Sequence, residues 1–197
     1  MKEVLKAKVR DLKRELILEE ASAYFEAVGL EEAKMAEVAE RCGISVGALY
    51  KVFASKDALF YAYVAHQIAR FMQRLEAATA EATGAEEKLR IFARLKFATF
   101  CDKAKVIKDP LSGDPLFFAK LNLSHGNPAE PVYAWLAEVF AALTGDASQA
   151  LRTAYRFSAV LLGDIEYWLL YGGTLESEAD TAVERFLYGM LGKEEGL

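Results

Sequence analysis

The stretch that decides the fold is Cys42-Gly43-Ile44-Ser45-Val46-Gly47-Ala48-Leu49-Tyr50-Lys51-Val52-Phe53, preceded by residues 34–42. Apolar side chains recur at helical spacing on both sides of Gly43, which permits a sharp turn. Ser45 is suited to cap the second helix, whose first backbone amides can then meet a phosphate. Two short helices joined in this way predict a helix-turn-helix, with a second helix that fits the major groove of DNA.

The same stretch predicts its own small core. We expect Val38 and Ala39 to face inward from the first short helix, where the small Ala39 permits a close helix crossing. Ile44, Leu49 and Phe53 should close this core from the other side. The unit is therefore a compact three-helix head, and a further helix should begin after Ser55.

Outside this stretch, helical periodicity continues along nearly the whole chain and strand-like alternation is absent. The sequence predicts an all-α protein of about nine helices. We assign residues 1–57 to a helix-turn-helix DNA-binding domain and residues 58–197 to an effector-binding and dimerisation domain. The expected helices include an apolar stripe from Val9 to Val28 that ends at Gly29, a helix with a Thr83–Glu86 capping box that runs to Val106, and the segments Pro115–Leu123, Pro128–Thr144, Ala147–Tyr171 and Thr174–Leu191.

Composition excludes several classes of protein. No apolar run approaches the ~20 residues that span a bilayer, and the charged N-terminus does not resemble a signal peptide, so we expect a cytoplasmic protein without membrane contact. The two cysteines, Cys42 and Cys101, lack the spacing of a metal motif, and no nucleophile elbow, phosphate loop or metal cluster is present. We expect no enzyme activity, no metal and no cofactor. The net charge of −5 is uneven, since residues 1–14 hold six basic and two acidic side chains.

The segment from about residue 12 to 60 resembles the TetR family of transcriptional regulators, because Gly43, Tyr50, Phe53 and Lys56 occur together in the family's order. The resemblance implies a repressor that binds a pseudo-palindromic double-stranded DNA operator as a homodimer and is released by a small-molecule effector. It implies that Tyr50 and Lys56 contact phosphates. The resemblance also places Ser45, Val46 and Gly47 at the tip that faces the groove, and Ala48 and Lys51 nearest the bases.

This sequence departs from the family pattern at three positions. Lys34 stands where the family usually has a Thr that touches the DNA backbone, and Lys can do this as a longer point charge. Ala48 replaces a common Thr, and Val52 replaces a common His or Tyr. We therefore expect an operator that is read through few hydrogen bonds, with Lys51 providing much of the discrimination.

The second domain is rich in aromatic residues, which either form a solid core or line a cavity for a largely apolar or aromatic ligand. Phe97, Phe100 and Cys101 follow i, i+3, i+4 spacing and present one strip. His125 either caps a loop or points into the cavity. The full set of candidate ligand-binding residues is Phe97, Phe100, Cys101, Phe117, Leu121, Asn122, His125, Tyr133, Asp164 and Trp168.

The last two predicted helices carry more apolar surface than one protomer needs, which predicts a four-helix dimer interface. We expect Ala154, Ser158 and Gly163 to let helices approach closely, and Val183, Phe186, Leu187, Met190 and Leu191 to supply the apolar face of the final helix. An alternative function is a helical small-molecule-binding or interaction protein whose head binds DNA weakly. A helical enzyme is a third possibility, which the missing catalytic motifs disfavour.

Overall fold

The computed structural model describes residues 1–29, 32–102 and 126–189. Within these ranges every regular element is helical, which confirms the predicted all-α class. The expected helix at residues 115–123 lies outside the described ranges. The elements are α1 (Lys2–Val28), α2 (Met35–Arg41), α3 (Val46–Tyr50), α4 (Lys56–Thr79), α5 (Ala85–Asp102), α6 (Glu130–Thr144), α7 (Ala150–Tyr171), a 3₁₀ helix (Glu176–Glu178) and α8 (Ala179–Tyr188).

Two predicted helix boundaries need correction. At the start of α5, the side chain that caps the helix is that of Glu87 and not that of Glu86, since Glu87 Oε2 accepts from the Thr83 N–H at 3.2 Å. The final helix does not run from Thr174 to Leu191, because a 3₁₀ turn comes first and α8 stops at Tyr188. Gly189 has φ 83 and its N–H bonds to the Arg185 carbonyl at 3.0 Å, a glycine-dependent helix end.

The described residues form two compact units, residues 1–69 with 126–128 and residues 70–102 with 129–189. The chain passes from one unit to the other within α4. The sequence placed its functional boundary at residues 57 and 58, and which residues belong to the DNA-binding domain stays a prediction. Among the described residues, no helix combines the length and apolar character needed to cross a bilayer.

The core of the first unit is built by α1–α3 and the start of α4. Phe25 lies at its centre, with its ring centroid 5.8 Å from that of Phe60 and 5.1 Å from that of Tyr63. Hydrogen bonds through Ser22 join α1 to α4. The Gln67 amide donates to Ser22 Oγ at 2.9 Å, and the Ser22 hydroxyl donates to the Leu18 carbonyl at 2.6 Å. This core fixes the frame on which α2 and α3 are held.

The apolar stripe predicted along α1 is only partly buried. The core of this unit contains four residues of the stripe, together with residues of α2 and α4: Ile17, Ala21, Tyr24 and Phe25. The residues of the stripe that precede them are exposed, as is Val28 at the end of the helix: Val9 59%, Leu12 57%, Leu16 55% and Val28 38%. The apolar stripe predicted from Val9 to Val28 is therefore buried only in its middle part, from Ile17 to Phe25.

The core of the second unit is an aromatic cluster among α4–α8. Phe157 is fully buried, and its ring centroid lies 6.1 Å from Phe92, 5.5 Å from Phe140 and 5.1 Å from Phe186. Ala154 and Val183 are also fully buried in this cluster. The expectation that Ala154 and Val183 face a second protomer was therefore wrong, because they are buried within their own; Phe186 and Leu187 are half-buried against the same core, and their place in an interface stays a prediction. Met190 and Leu191 lie outside the described residues.

Polar contacts fasten α8 to α5. Arg90 bridges Glu86 on its own helix at 2.7 Å and Glu184 on α8 at 3.2 Å. The Tyr188 hydroxyl donates to the other oxygen of Glu86 at 2.7 Å. Because the Glu86 carboxylate accepts hydrogen bonds from both Arg90 and Tyr188, it fixes the register of α8 against α5.

Candidate nucleic-acid interface and effector region

The turn between α2 and α3 is held by backbone hydrogen bonds and one glycine. The Gly43 N–H bonds to the Glu40 carbonyl, and the Ile44 N–H bonds to the Ala39 carbonyl, both at 3.0 Å. Gly43 has φ 62, in the left-handed region that strains residues with a side chain. Space is not the constraint there, since a Cβ at Gly43 would meet nothing within 4 Å. Gly43 is needed for backbone conformation.

The inner face of the helix-turn-helix matches its predicted core. Val38 and Ala39 on α2, Leu49 on α3 and Phe53 after it are all buried, and Ile44 packs against them. The Arg14 guanidinium on α1 lies 4.5 Å from the Phe53 ring centroid, which adds a cation–π contact to that ring. The orientation of α3 is therefore fixed by side chains that point away from its free surface.

The outer face of α3 carries the predicted DNA-contacting residues. Ser45, Val46, Gly47, Tyr50 and Lys51 are exposed, and Ala48 is half-buried. The Ser45 side chain caps the helix, because its Oγ accepts from the Ala48 N–H at 3.2 Å. The structure therefore brings six of the eight predicted DNA-binding residues together on α3, its cap and the residue that follows it.

Lys56 is the first residue of α4 and is half-buried. The preceding Ser55 caps this helix, since its Oγ accepts from the Ala58 N–H at 3.0 Å. Helix caps like this hold the first turn in one conformation. Lys56 is thus placed by a rigid helix start, as the sequence predicted from Ser55.

Lys34 has a partner that the sequence reasoning missed. Its ammonium lies 3.5 Å from Glu37 Oε1. The Tyr24 hydroxyl donates to Glu37 Oε2 at 2.8 Å and accepts from the Lys34 N–H at 3.2 Å. The hydrogen bond from Tyr24 lowers the pKa of Glu37, with Lys34 and Arg41 adding to the effect. The i, i+3 spacing of Lys34 and Glu37 was the signal that could have revealed this pair.

The predicted ligand-binding residues fall into three groups. Phe97 is fully buried in the core of the second unit, and Phe100, Cys101 and Tyr133 are partly buried against that core. The Tyr133 ring stacks on that of Tyr155 at 3.8 Å between centroids. Trp168 and Asp164 form the second group. The third group, Phe117, Leu121, Asn122 and His125, lies outside the described residues.

Asp164 and Trp168 line a cleft of about 550 Å³ near the end of α7, opposite Gly172, Thr174, Glu178 and Arg185. Burial raises the pKa of Asp164, and the positive charge of Arg185 opposes that rise. The charged group that most affects Asp164 is therefore Arg185.

Lys96 and Ser158 are polar residues of the second unit that the sequence reasoning did not assign to the ligand site. The Lys96 ammonium donates to Ser158 Oγ at 3.1 Å and lies 6.0 Å from the Phe92 ring centroid. Burial lowers the pKa of Lys96 to about 8. Ser158 was expected to ease close packing with a second protomer, but its hydroxyl instead accepts a hydrogen bond from α5.

Comparison with known proteins agrees with this geometry. The sequence profile of bacterial regulatory proteins of the tetR family matches residues 17–63, a range that contains the helix-turn-helix. Comparison with curated proteins gives no match.

Solved structures of transcriptional regulators have a similar fold. The fatty acid degradation regulator FadR of Bacillus halodurans has a TM-score of 0.72 and 18% identity, covering 92% of this chain and 97% of its own. FadR of Thermus thermophilus, solved with lauroyl-CoA, has a TM-score of 0.67 and 19% identity, covering 93% and 98%. FadR of Bacillus subtilis, solved with stearoyl-CoA, has a TM-score of 0.69 and 14% identity, covering 89% and 98%.

Proposed function

Because residues 17–63 match the profile of the tetR family of bacterial regulatory proteins, we propose that the chain is a TetR-family regulator, a homodimeric repressor that leaves its operator when a small molecule binds the second unit. The operator is pseudo-palindromic, because two identical heads read two half-sites about one helical turn apart or a multiple of that. The alternative, a ligand-binding protein with a weakened head, is an outcome of the first experiment below.

The outer face of α3 is the observation that carries this proposal. Leu49 and Phe53 are inside the unit, while Val46, Tyr50 and Lys51 are exposed. A short helix anchored on one side and free on the other is what major-groove reading requires. Few of its exposed groups can read base edges, so Lys51 supplies the main direct contact and phosphate contacts from Tyr50 and Lys56 supply much of the affinity.

The Lys56→Ala variant tests the phosphate assignment. Binding is measured by fluorescence anisotropy on a duplex from the protein's own promoter region and on a shuffled duplex, at several salt concentrations. We expect Lys56→Ala to weaken binding to both duplexes and to lower the salt slope by about one unit. Lys88→Ala, a matched change in the second unit, should leave the slope unaltered. Wild-type protein that binds neither duplex would favour the alternative function.

The exposed face of α7 supports the dimer. Leu151, Tyr155 and Leu162 share one side of this helix at i, i+4 and i+11, with exposures of 54%, 46% and 37%. Apolar side chains aligned in this way on one helix are typical of an interface between protomers. Gly163 lies beside this row, and a Cβ there would meet nothing within 4 Å in the protomer, so a second helix has room to approach.

Leu151→Glu tests the dimer. We expect sedimentation to show a dimer for the wild type and a monomer for Leu151→Glu, with weaker operator binding because only one head engages at a time. Leu143→Glu, an equally polar change at an exposed apolar residue of α6, should remain dimeric. A monomeric wild type at micromolar concentration would contradict the proposal.

The effector is a largely apolar or aromatic molecule. Support comes from the aromatic side chains of the second unit and from two structural neighbours whose crystals contain acyl-CoA molecules. Lauroyl-CoA added to the protein–DNA complex should lower the anisotropy, and CoA without the acyl chain should not. An equal response to both compounds would show that the apolar part is not what the protein recognises.

A further inference from the structure

Lys96 lies in the apolar stripe of α5. Leu89, Phe92, Ala93 and Phe97 are the buried residues of this helix, and the i, i+3, i+4, i+7, i+8 pattern that begins at Leu89 assigns position 96 to the same face. An apolar side chain is expected at such a position. The chain instead has a residue with a positive charge.

Ser158 lies in the corresponding stripe of α7. Ala154, Phe157 and Leu161 are buried there, and Ser158 is four residues after the first and adjacent to the second. Its Oγ accepts from the Lys96 ammonium at 3.1 Å. Two polar residues from two apolar stripes therefore meet inside an otherwise apolar packing layer.

Among the described residues, aromatic side chains surround this pair and provide no negative charge to compensate that of Lys96. The Phe92 ring under Lys96 stacks on Trp135 at 5.9 Å and contacts Phe157. Within the described ranges, Lys96 takes part in none of the ion pairs. A buried ammonium with one hydroxyl partner destabilises a fold compared with an apolar residue of the same size. Departures of this kind concentrate at functional sites, where a ligand completes the interaction.

We propose that Lys96 and Ser158 form the polar end of the effector site and bind the carboxylate of a ligand whose remaining body is apolar. Lys96 as a whole is half-buried, so a ligand can reach its side chain. The carboxylate takes the place of the missing counter-ion, and the half-buried ring of Trp135, which stacks on Phe92, contacts the apolar body. At pH 7 Lys96 is still largely protonated, since its pKa is about 8. The inference rests on the proposed ligand-binding role of this unit.

The test compares carboxylates with uncharged molecules of the same shape. The probes are dodecanoate with dodecan-1-ol, and 1-naphthoate with 1-naphthylmethanol, each titrated by calorimetry and by tryptophan fluorescence. We expect the wild type to bind at least one carboxylate about tenfold more tightly than its matched alcohol, because the hydrogen bond to a charged group is lost in the alcohol.

Lys96→Met removes the charge and keeps the approximate volume. We expect this variant to lose the preference for the carboxylate and to keep its affinity for the alcohol. Its thermal midpoint without ligand should rise by a few degrees, because an uncompensated buried charge is removed. Lys88→Met makes the same chemical change on the same helix and should alter neither quantity. Lys96→Gln gives the same binding comparison if Lys96→Met does not fold.

Three results would overturn the inference. They are equal binding of carboxylates and alcohols by the wild type, an unaltered carboxylate preference in Lys96→Met, or a large loss of thermal stability in that variant. The last would mean that the bond to Ser158 is structural. None of these measurements involves DNA. A negative result for carboxylate binding therefore does not affect the helix-turn-helix assignment, and a protein that does not bind DNA would not contradict this inference.

Discussion

Replacing Ser45 by Asp separates the stability of the helix-turn-helix from its contact with DNA. Asp is as good an N-cap as Ser, so its carboxylate should continue to accept from the Ala48 N–H, which lies 3.2 Å from Ser45 Oγ. The free energy of unfolding should therefore change little. Ser45→Ala removes the acceptor instead and should cost about 1 kcal/mol.

The effect of Ser45→Asp on DNA binding is much larger. If position 45 lies at the tip that faces the groove, the new carboxylate lies roughly 4 Å from a phosphate, where repulsion amounts to about 1 kcal/mol in water and about 4 kcal/mol in a partly desolvated interface. A dimer has two such heads. Even the lower figure, applied twice, weakens operator binding about thirtyfold.

Urea denaturation measures the first quantity and anisotropy on the promoter duplex measures the second. Ala23→Asp introduces the same charge at an exposed position of α1 in the same unit and serves as the control for DNA binding, which it should leave unaltered. We expect Ser45→Asp to lose DNA binding with its stability intact, and Ser45→Ala to lose stability with a smaller loss of binding. A stable Ser45→Asp protein that binds the operator as the wild type does would refute the placement of this tip at the DNA.

Three further outcomes are expected. Glu37→Gln should tighten operator binding several-fold at low salt, because Lys34 is then free to bind a phosphate and a negative charge that repels the DNA is removed. Glu40→Gln on the same helix is the control. Unaltered anisotropy titrations for Glu37→Gln would contradict the role of Lys34. Phe157→Ala should lower the free energy of unfolding by about 3–5 kcal/mol in urea, since its ring is fully buried, whereas the exposed Tyr167→Ala should cost less than about 0.5 kcal/mol. Burial lowers the pKa of Lys96 from 10.5 to about 8, so between these values the unfolded chain holds an extra proton at Lys96, and the contribution of this residue to stability rises with pH. The stability of the wild type relative to Lys96→Met should therefore rise from about pH 8 to 10.5, and a difference that does not vary with pH would contradict the burial of this charge.

The helix-turn-helix could be predicted because its determinants are local. Gly43 permits the turn, Ser45 caps the next helix, and Leu49 and Phe53, four residues apart, are both buried on the inner face. Each of these properties follows from residues fewer than ten positions apart. Local stereochemistry therefore specifies this element without information from the rest of the chain.

Which residues of α1 are buried, and which residues of α7 pack within the protomer, could not be predicted in the same way. Leu12 and Leu16 have the helical spacing of Ile17 and Ala21, yet only the latter pair packs against other helices. Periodicity shows that a stripe exists but does not say which part of it finds a partner. The same ambiguity assigned Ala154 to a second protomer, whereas it packs within its own.

The proposed effector site was the least predictable part. Aromatic residues such as Phe97 and Phe100 fit a core and a cavity wall equally well, so their spacing does not distinguish the two. The more informative signal was the presence of polar residues at core positions, a Lys at position 96 and a Ser at position 158 within apolar stripes. Polar residues at core positions carry an energetic cost, and this makes them better markers of a site than apolar residues.

The central claim, that this chain binds a specific operator through the exposed face of α3, is tested most directly by one titration. Wild-type protein is titrated into the promoter duplex and into a shuffled duplex of equal length and composition, at physiological salt. We predict a dissociation constant for the promoter of about 10⁻⁸ M or lower and a preference over the shuffled duplex of at least about 10³. Equal affinity for the two duplexes would contradict the claim.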